Sequence, residues 1–231
     1  MLRKVEFAPG EFYHIYNRGT EKRDIFIDEK DKKRFSSLLY LCNGTKPVNF
    51  REIPKGRSFE EDRGETVVDI GAYCLMSNHF HLLIYEKLEG GITTFMKKLC
   101  TAHSMYFNRK YGRTGTLFEG RFKSLHIDSD KYLNYLLSYI HLNLIDHVEP
   151  NWKENGIRNI KNAEEYLRRY AYSSYPDYLG VERPENIILE KSSFPNYFSK
   201  KKDFKNFINE WIRLKSRDFV LLGQNTKDRP L

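Results

Sequence analysis

Cysteine is scarce in this chain, which has three cysteines among 231 residues. Cys42, Cys74 and Cys100 are widely spaced, and no two of them form a Cys-x-x-Cys pair. The sequence therefore indicates neither a zinc knuckle nor a disulfide framework. Long apolar runs are also missing, so no segment is expected to span a bilayer. The first residues, MLRKVEFAPGEF, lack the apolar stretch of a signal peptide, which favours a cytoplasmic location.

Acidic residues are outnumbered by basic ones. The chain has 31 Asp and Glu against 39 Lys and Arg, and its formal net charge is +8. An excess of this size favours a polyanionic partner. The chain also contains 16 tyrosines and 16 phenylalanines. Aromatic rings interleaved with cations suit a partner with unpaired bases and a phosphate backbone, although most of the phenylalanines are expected in the core.

The spacing of apolar residues predicts the element order strand, helix, strand, strand, helix, strand. Strands are expected at residues 10–19, 66–76, 78–86 and 115–127, and helices at residues 28–44 and 91–111. This order is typical of the ferredoxin-like split βαβ plan, in which helices cover one face of an antiparallel sheet. The predicted fold class is therefore α+β. A further helix is expected within the segment FPNYFSKKKDFKNFINEWIRL, with an apolar stripe on one face: Phe204, Phe207, Ile208 and Trp211. The last residues are expected to form a loosely held tail.

The segment MSNHFHLLIYE, residues 76–86, carries two histidines in a predicted strand. Side chains two residues apart on a strand share a face, so His79 and His81 point the same way. Phe80, Leu82 and Ile84 point to the opposite face, which is apolar and belongs in a core. Two imidazoles side by side can chelate one metal ion, although such pairs also occur by chance.

The segment DSDKYLNYLLSYIHLNLIDH predicts a helix that begins after Asp128 or Ser129 and ends near Ile145. One of its faces is apolar. The opposite face carries three tyrosines followed by an amide and a carboxylate: Tyr132, Tyr135, Tyr139, Asn143 and Asp146. If this helix covers the histidine face, Asn143 adds an oxygen ligand to the two imidazoles. Tyr139 lies one helical turn before Asn143 and brings a hydroxyl to the same place.

This set of groups fits phosphoryl transfer. A divalent ion held by His79, His81 and Asn143 would neutralise charge on a phosphate while a hydroxyl attacks. Geometry alone leaves Tyr132 and Tyr135 as rival nucleophiles to Tyr139.

Five segments in order resemble the single-tyrosine HUH transposases, and most closely their REP-associated branch. They are YHIYNRG, CLMSNHFHLLI, YFNRKYGRTGTLFEGRFKS, KYLNYLLSYIHLN and YSSYPDY. The resemblance implies an enzyme that binds a single-stranded DNA hairpin of the repetitive palindromic type and cleaves beside it. It implies a 5′-phosphotyrosine intermediate, a free 3′ hydroxyl, and Mg²⁺ or Mn²⁺ as cofactor. It also implies a bacterial, nucleoid-associated protein that is a monomer or a homodimer.

Carried over by motif, the resemblance assigns Tyr139 as nucleophile and His79, His81 and Asn143 as metal ligands. The sequence departs from the family pattern at three positions without removing a catalytic atom: Ser77 and Leu144 replace prolines, and Tyr172 replaces a tryptophan.

Four cations are candidate DNA contacts: Arg18, Arg23, Arg121 and Lys123. Residues 1–150 are expected to form the catalytic domain, and residues 151–231 a basic helical extension packed on it.

Two other functions remain open at this point. A nucleic-acid-binding module without catalysis is compatible with a ferredoxin-like fold, although the sequence lacks the aromatic signature of RNA-recognition domains. In the transposase family, this alternative would be a protein that still binds a DNA hairpin but has lost the ability to cleave it. The other is a metal-dependent nuclease that uses water and does not need Tyr139.

Overall fold

Four antiparallel strands form a single sheet in the computed structural model, which describes residues 6–198 and 200–213. The strands are β1 (Phe12–Arg18), β2 (Val68–Leu75), β3 (His79–Glu86) and β4 (Lys123–Ile127). Their order in the sheet is β2-β3-β1-β4, so β1 and β3 are the two central strands. The predicted α+β, ferredoxin-like fold class is confirmed.

The fourth strand is shorter than predicted. An extended segment was expected from Gly115, but only Lys123–Ile127 pairs with β1 as a strand. Gly115 adopts a left-handed backbone conformation with φ of 81°, which turns the chain before it reaches the sheet. Phe118 makes one isolated bridge to Gly19. The alternation in residues 115–122 therefore reflects a loop that packs on the core, and that part of the prediction was wrong.

Two helices cover one face of the sheet, α1 (Glu29–Leu41) and α2 (Gly91–Lys110). As predicted, Phe80, Leu82 and Ile84 of β3 point to this face, where they are buried with apolar side chains of both helices. Asp28 and Asp31 form a reciprocal capping box at the start of α1, because each side chain accepts a backbone N–H of the other residue.

The third helix, α3 (Asp130–Leu142), covers the opposite face of the sheet. Ser129 caps its first turn by accepting the N–H of Tyr132. The α-helix ends at Leu142 and the chain continues as a 3-10 turn, Asn143–His147. Leu144, which stands where the family has proline, keeps its backbone N–H and is part of this turn. The chain therefore stays helical past Asn143, as the sequence predicted.

Residues after this turn pack against α3. They form α4 (Trp152–Asn155), α5 (Ile160–Arg169), α6 (Tyr175–Tyr178) and α7 (Lys201–Arg213). Helix α7 buries Phe204, Ile208 and Ile212, and leaves Phe207 and Trp211 of the predicted stripe partly buried. The predicted C-terminal tail lies outside the described residues. None of the helices in the described part of the chain is long and apolar enough to cross a membrane.

Candidate active site

The two histidines of β3 lie at the centre of the sheet, on the face that α3 covers. His81 is paired with Tyr16 of β1 on one side and with Cys74 of β2 on the other. His79 is paired with Arg18, at the end of β1. The two imidazole rings are 5.0 Å apart between centroids and nearly perpendicular. The strand alternation therefore places both rings on one face, as the sequence predicted.

Each of these histidines uses its Nδ1 atom in a hydrogen bond and leaves its Nε2 atom for another partner. His79 Nδ1 lies 2.6 Å from Asn78 Oδ1, and His81 Nδ1 lies 2.9 Å from His14 Nε2. Both Nε2 atoms are buried and have no hydrogen-bond partner within the described residues. Buried polar atoms of this kind are normally satisfied. Two unsatisfied ring nitrogens on one face fit a divalent metal with nitrogen ligands.

Asn78 fixes the tautomer of His79. The Asn78 amide nitrogen donates to the Lys22 carbonyl at 3.2 Å, so its Oδ1 atom faces the imidazole. That oxygen can only accept, so His79 Nδ1 carries the proton and Nε2 keeps its lone pair for a metal. Burial lowers the pKa of His79 to about 4, helped by the nearby Lys153 charge, which keeps the ring neutral at physiological pH.

His14 plays the equivalent role for His81. Both rings are fully buried, and burial lowers the pKa of each. When both histidines are neutral, one proton lies between His81 Nδ1 and His14 Nε2 and is carried by one of these two nitrogens. Only one of the two possible tautomer pairs leaves His81 able to bind a metal. In that arrangement His81 Nδ1 donates to His14 Nε2, and His81 Nε2 is unprotonated. His14 belongs to none of the predicted catalytic or metal-binding positions, although strand alternation places it on the same face as Tyr16.

Tyr139 reaches the same place from α3. Its ring lies 5.4 Å from the His81 ring between centroids, edge to face, and 6.2 Å from the His14 ring. Tyr139 is 4% exposed. Burial raises the pKa of its hydroxyl, and a hydrogen bond with the Asn143 side chain opposes part of that rise. The phenol is therefore protonated at neutral pH, and a nucleophilic role requires a group that accepts its proton.

Asn143 lies one turn after Tyr139, and its backbone N–H donates to the Tyr139 carbonyl. Its side-chain oxygen accepts a hydrogen bond from Lys153 Nζ at 2.8 Å. An amide oxygen has two lone pairs, and this bond occupies one of them. Asn143 is 1% exposed and belongs to the same buried group as Tyr139. The predicted tyrosine and amide are thus brought to the histidine face together.

Lys153 is a charged residue of this site that sequence reasoning missed. It lies on α4, and its ammonium group is 5.1 Å from the centre of the Tyr139 ring. It also lies 3.4 Å from the Asp146 carboxylate, and its charge lowers the pKa of both His79 and His81. Lys153 follows Asn143 by ten residues across a turn, and no regular spacing in the sequence connects them.

The described residues contain no group of three or more His, Cys, Asp or Glu side chains that could hold a metal ion. The predicted set does not need such a group, because its third ligand is the amide of Asn143. Two imidazole nitrogens and one amide oxygen suit Mn²⁺ better than Mg²⁺, which prefers oxygen ligands.

The other two tyrosines of α3 lie further along the helix from Asn143. Tyr132 stacks on Tyr135 at 6.1 Å, and Tyr135 lies against Tyr139 at 5.8 Å. Tyr139 is the member of this row whose ring contacts the His81 ring, at 5.4 Å between centroids.

The four predicted DNA-binding cations differ in their exposure and in their partners. Arg121 and Lys123 are exposed, and Lys123 pairs with Tyr16 across β1 and β4. Arg18 is held by Glu119 through two side-chain hydrogen bonds. Arg23 donates to the Thr20 carbonyl and to Glu21. Arg121 and Lys123 are therefore the two predicted residues best placed to contact a phosphate.

His141 has a structural role. It points away from Tyr139, and its ring bonds the Leu137 carbonyl and the Ser174 hydroxyl at 2.8 Å each. Ser174 in turn pairs with Tyr73 at the edge of β2. This contact explains the YSSY segment, which attaches α3 to the sheet.

Part of the chain matches the model of a known family. The family described as "Transposase IS200 like" matches residues 56–143. The resemblance to IS200-like transposases is confirmed. The matched segment contains the four residues that the sequence predicts as nucleophile and metal ligands, from His79 to Asn143.

One solved structure similar to this chain is described as the REP-associated tyrosine transposase bound to a REP hairpin. It is 12% identical, covers 80% of this chain and 89% of its own, and superposes with a TM-score of 0.47. A search of curated proteins finds no significant match.

Proposed function

We propose that this protein is a single-stranded DNA transposase that binds a DNA hairpin and cleaves beside it with Tyr139. The observation that carries the proposal is the contact between the Tyr139 ring and His81, beside two buried ring nitrogens that have no partner in the described residues. The family match over residues 56–143 supports the same chemistry.

The proposed metal ligands are His79 Nε2, His81 Nε2 and Asn143 Oδ1. A divalent ion held there would polarise the scissile phosphate and offset its developing charge. Asn78 and His14 hold the two imidazoles in the tautomers that leave Nε2 unprotonated. The helical turn between Tyr139 and Asn143 fixes the phenol beside the phosphate, which is the kind of positioning that lowers a phosphoryl-transfer barrier.

In the proposed step, the Tyr139 oxygen attacks the phosphorus and the bond from phosphorus to the 3′ oxygen breaks. The products are a 5′-phosphotyrosine ester and a 3′ hydroxyl, and the phenol proton ends on solvent or on the leaving oxygen. Lys153 lies close enough to the ring to offset negative charge as the phenol loses its proton.

The test is cleavage of a labelled hairpin with a single-stranded flank in the presence of Mn²⁺, followed on a denaturing gel. Wild type is expected to cleave and to form a protein–DNA adduct. Tyr139→Phe keeps the ring and its packing, so it is expected to bind the hairpin and to lose cleavage. Tyr135→Phe is the matched control, since it removes the same atom one turn away.

Two results would replace the proposal with its alternatives. Cleavage that survives in Tyr139→Phe without an adduct would indicate a nuclease that uses water. Tight hairpin binding by wild type with no cleavage in Mn²⁺ or Mg²⁺ would indicate a binding protein that has lost its activity.

A further inference from the structure

A second surface with the properties of a ligand site lies on the opposite face of the sheet. It is a groove of about 1330 Å³ between α1, α2 and the loop that contains residues 46–51. This volume exceeds the range of roughly 300–1,000 Å³ typical of pockets for small molecules. The groove is therefore large enough for a segment of a polymer.

The groove is lined by cations and lacks carboxylates. Seven of its lining residues are Lys or Arg, and none of those described is Asp or Glu. Arg51, Lys97 and Arg109 are exposed, and none of the three has an ion-pair partner within the described residues. Like charges in one concave surface create a strong local potential for an anion.

Aromatic and apolar groups lie among these cations. The Arg34 guanidinium is 5.2 Å from the Phe50 ring centre and 4.7 Å from that of Tyr106, so it contacts both rings. Its Nε atom is buried and has no hydrogen-bond partner within the described residues. Met105, at the edge of the groove, is 70% exposed. The groove thus offers flat faces and an apolar surface as well as positive charge.

We propose that this groove binds a segment of single-stranded DNA away from the cleavage site. Phosphates would contact Arg51, Lys97 and Arg109, and bases would stack near Phe50 and Tyr106. This combination is typical of single-strand binding surfaces, because every base has a stacking face. Duplex DNA keeps its bases stacked inside, so it could not use the apolar part of the groove. The inference rests on the proposed function for the identity of the polyanion as DNA.

The groove and the proposed catalytic residues lie on opposite faces of one sheet. Helices α1 and α2 pack on the face of Phe80, whereas Tyr139 lies on the face of His81. A strand in the groove is therefore distinct from the phosphodiester that Tyr139 attacks. The groove would hold DNA that flanks the hairpin, and would add affinity for long substrates.

The test compares two triple variants in their binding of a fluorescein-labelled oligothymidine. The groove variant is Arg51→Ser, Lys97→Ser and Arg109→Ser. The matched control removes three exposed cations from α5 and α7, as Lys161→Ser, Arg168→Ser and Lys202→Ser. Each lost phosphate contact reduces the slope of log affinity against log salt by about 0.7 for a single strand, so the groove variant should lose roughly 2 from its slope. The control should keep the wild-type slope.

Equal salt slopes for the two variants would overturn the proposal, and so would binding of polyglutamate as tight as that of oligothymidine.

Wild-type protein gives a second readout through photo-crosslinking to oligothymidine that carries 5-iodouracil. Crosslinks are expected at Phe50 or Tyr106, and crosslinks confined to the Tyr139 face would also overturn it. The proposed function is tested separately, by adduct formation in wild type. If wild type crosslinks to oligothymidine in the groove but forms no adduct with DNA, only the proposed function is refuted. If wild type forms the adduct but the groove and control variants have equal salt slopes, only the groove proposal is refuted.

Discussion

Each imidazole of the proposed metal site depends on a neighbour that does not itself bind the metal. His14 is fully buried and its Nε2 atom is the hydrogen-bond partner of His81 Nδ1. Partners of this kind fix the tautomer and orientation of a ligand, and their loss typically weakens metal binding 10- to 100-fold. The affinity of the site is therefore set partly by residues outside the ligand set.

We expect His14→Phe to weaken Mn²⁺ binding by roughly 10- to 100-fold, measured by calorimetry. The matched control is His103→Phe. His103 is also fully buried, and its Nε2 atom is hydrogen-bonded to the Ile25 carbonyl, but it lies on the other side of the sheet. Equal Mn²⁺ affinities for the two variants would show that His14 does not position His81.

Lys153 provides a second test at this scale. Lys153→Met removes the charge beside the Tyr139 ring and keeps most of the aliphatic stem. We expect single-turnover cleavage of saturating hairpin to slow by about 10²-fold, because a preorganised charge is lost from the site of reaction. Lys161→Met, which changes an exposed lysine of α5, is the control. An unchanged rate in Lys153→Met would remove Lys153 from the proposed mechanism.

Sequence reasoning predicted the site residues that occur as spaced pairs within one strand or one helix. It missed the residues that approach these pairs from other elements. Strand alternation connects His79 to His81, and one helical turn connects Tyr139 to Asn143. His14 and Lys153 meet these residues only through the pairing of β1 with β3 and the turn after α3. Alternation along β1 was a usable signal for His14, whereas nothing local pointed to Lys153.

At the scale of elements, one buried carboxylate joins α1 to α2. The Asp31 side chain is 0% exposed. It accepts hydrogen bonds from the Ile27 and Asp28 backbone N–H groups at the start of α1. From α2 and the residue after it, Asp31 also accepts from Tyr106, Lys110 and Tyr111.

Asp31 is expected to make stability depend on pH. Burial raises its pKa, but the hydrogen bonds from Lys110, Tyr111 and the backbone outweigh burial and lower the pKa from 3.8 to about 2. A folded-state pKa below the unfolded value stabilises the protein above the unfolded pKa, by about 2 kcal/mol here, and that contribution is lost as pH falls from about 4 towards 2. Urea unfolding at pH 7 and pH 3 measures about half of this contribution, roughly 1 kcal/mol, because the folded-state carboxylate is still largely ionised at pH 3.

Asp31→Asn should therefore lose less stability than wild type between these two pH values. Asp62→Asn is the control, since Asp62 is exposed and pairs with Lys46 at the surface. Parallel losses in wild type and Asp31→Asn would show that Asp31 does not link α1 to α2 through its charge.

The elements themselves were largely predictable. Apolar periodicity identified β1, β2, β3, α1 and α2, because each buries one regular face. The prediction failed over residues 115–122, where alternating apolar residues belong to a loop. Gly115 turns the chain, and Phe118 makes an isolated bridge to Gly19, just after β1. A local pattern cannot distinguish this tertiary contact from pairing along a strand. The division into residues 1–150 and 151–231 stays a prediction.

At the scale of the whole molecule, the net charge of +8 predicts DNA binding that weakens as salt rises. We expect a hairpin with a single-stranded flank to bind more tightly than plain duplex of the same length. We also expect Arg121→Ser with Lys123→Ser to reduce the salt slope for the hairpin by roughly 1 to 2, from two lost phosphate contacts. Arg168→Ser with Lys202→Ser is the control. Tighter binding to duplex than to the hairpin would contradict this prediction.

The two proposed functions lie on opposite faces of the sheet. One face carries the proposed cleavage chemistry under α3, and the other carries the basic groove between α1 and α2. The sequence predicted the first face, because its residues form motifs. The groove brings together residues from α1, α2 and a long polar loop, which no motif connects. A surface that combines residues from separate elements in this way can be identified from the folded structure but not from local sequence patterns.

The central claim is that Tyr139 becomes covalently attached to DNA, and mass spectrometry of the adduct tests it most directly. Trypsin is expected to release residues 132–153 as one peptide, which contains Tyr132, Tyr135 and Tyr139. After reaction with a hairpin in Mn²⁺ and digestion of the DNA, fragmentation of this peptide locates the nucleotide. We predict a nucleotide phosphate on Tyr139. A nucleotide on Tyr132 or Tyr135, or cleaved DNA with no modified peptide, would contradict the claim.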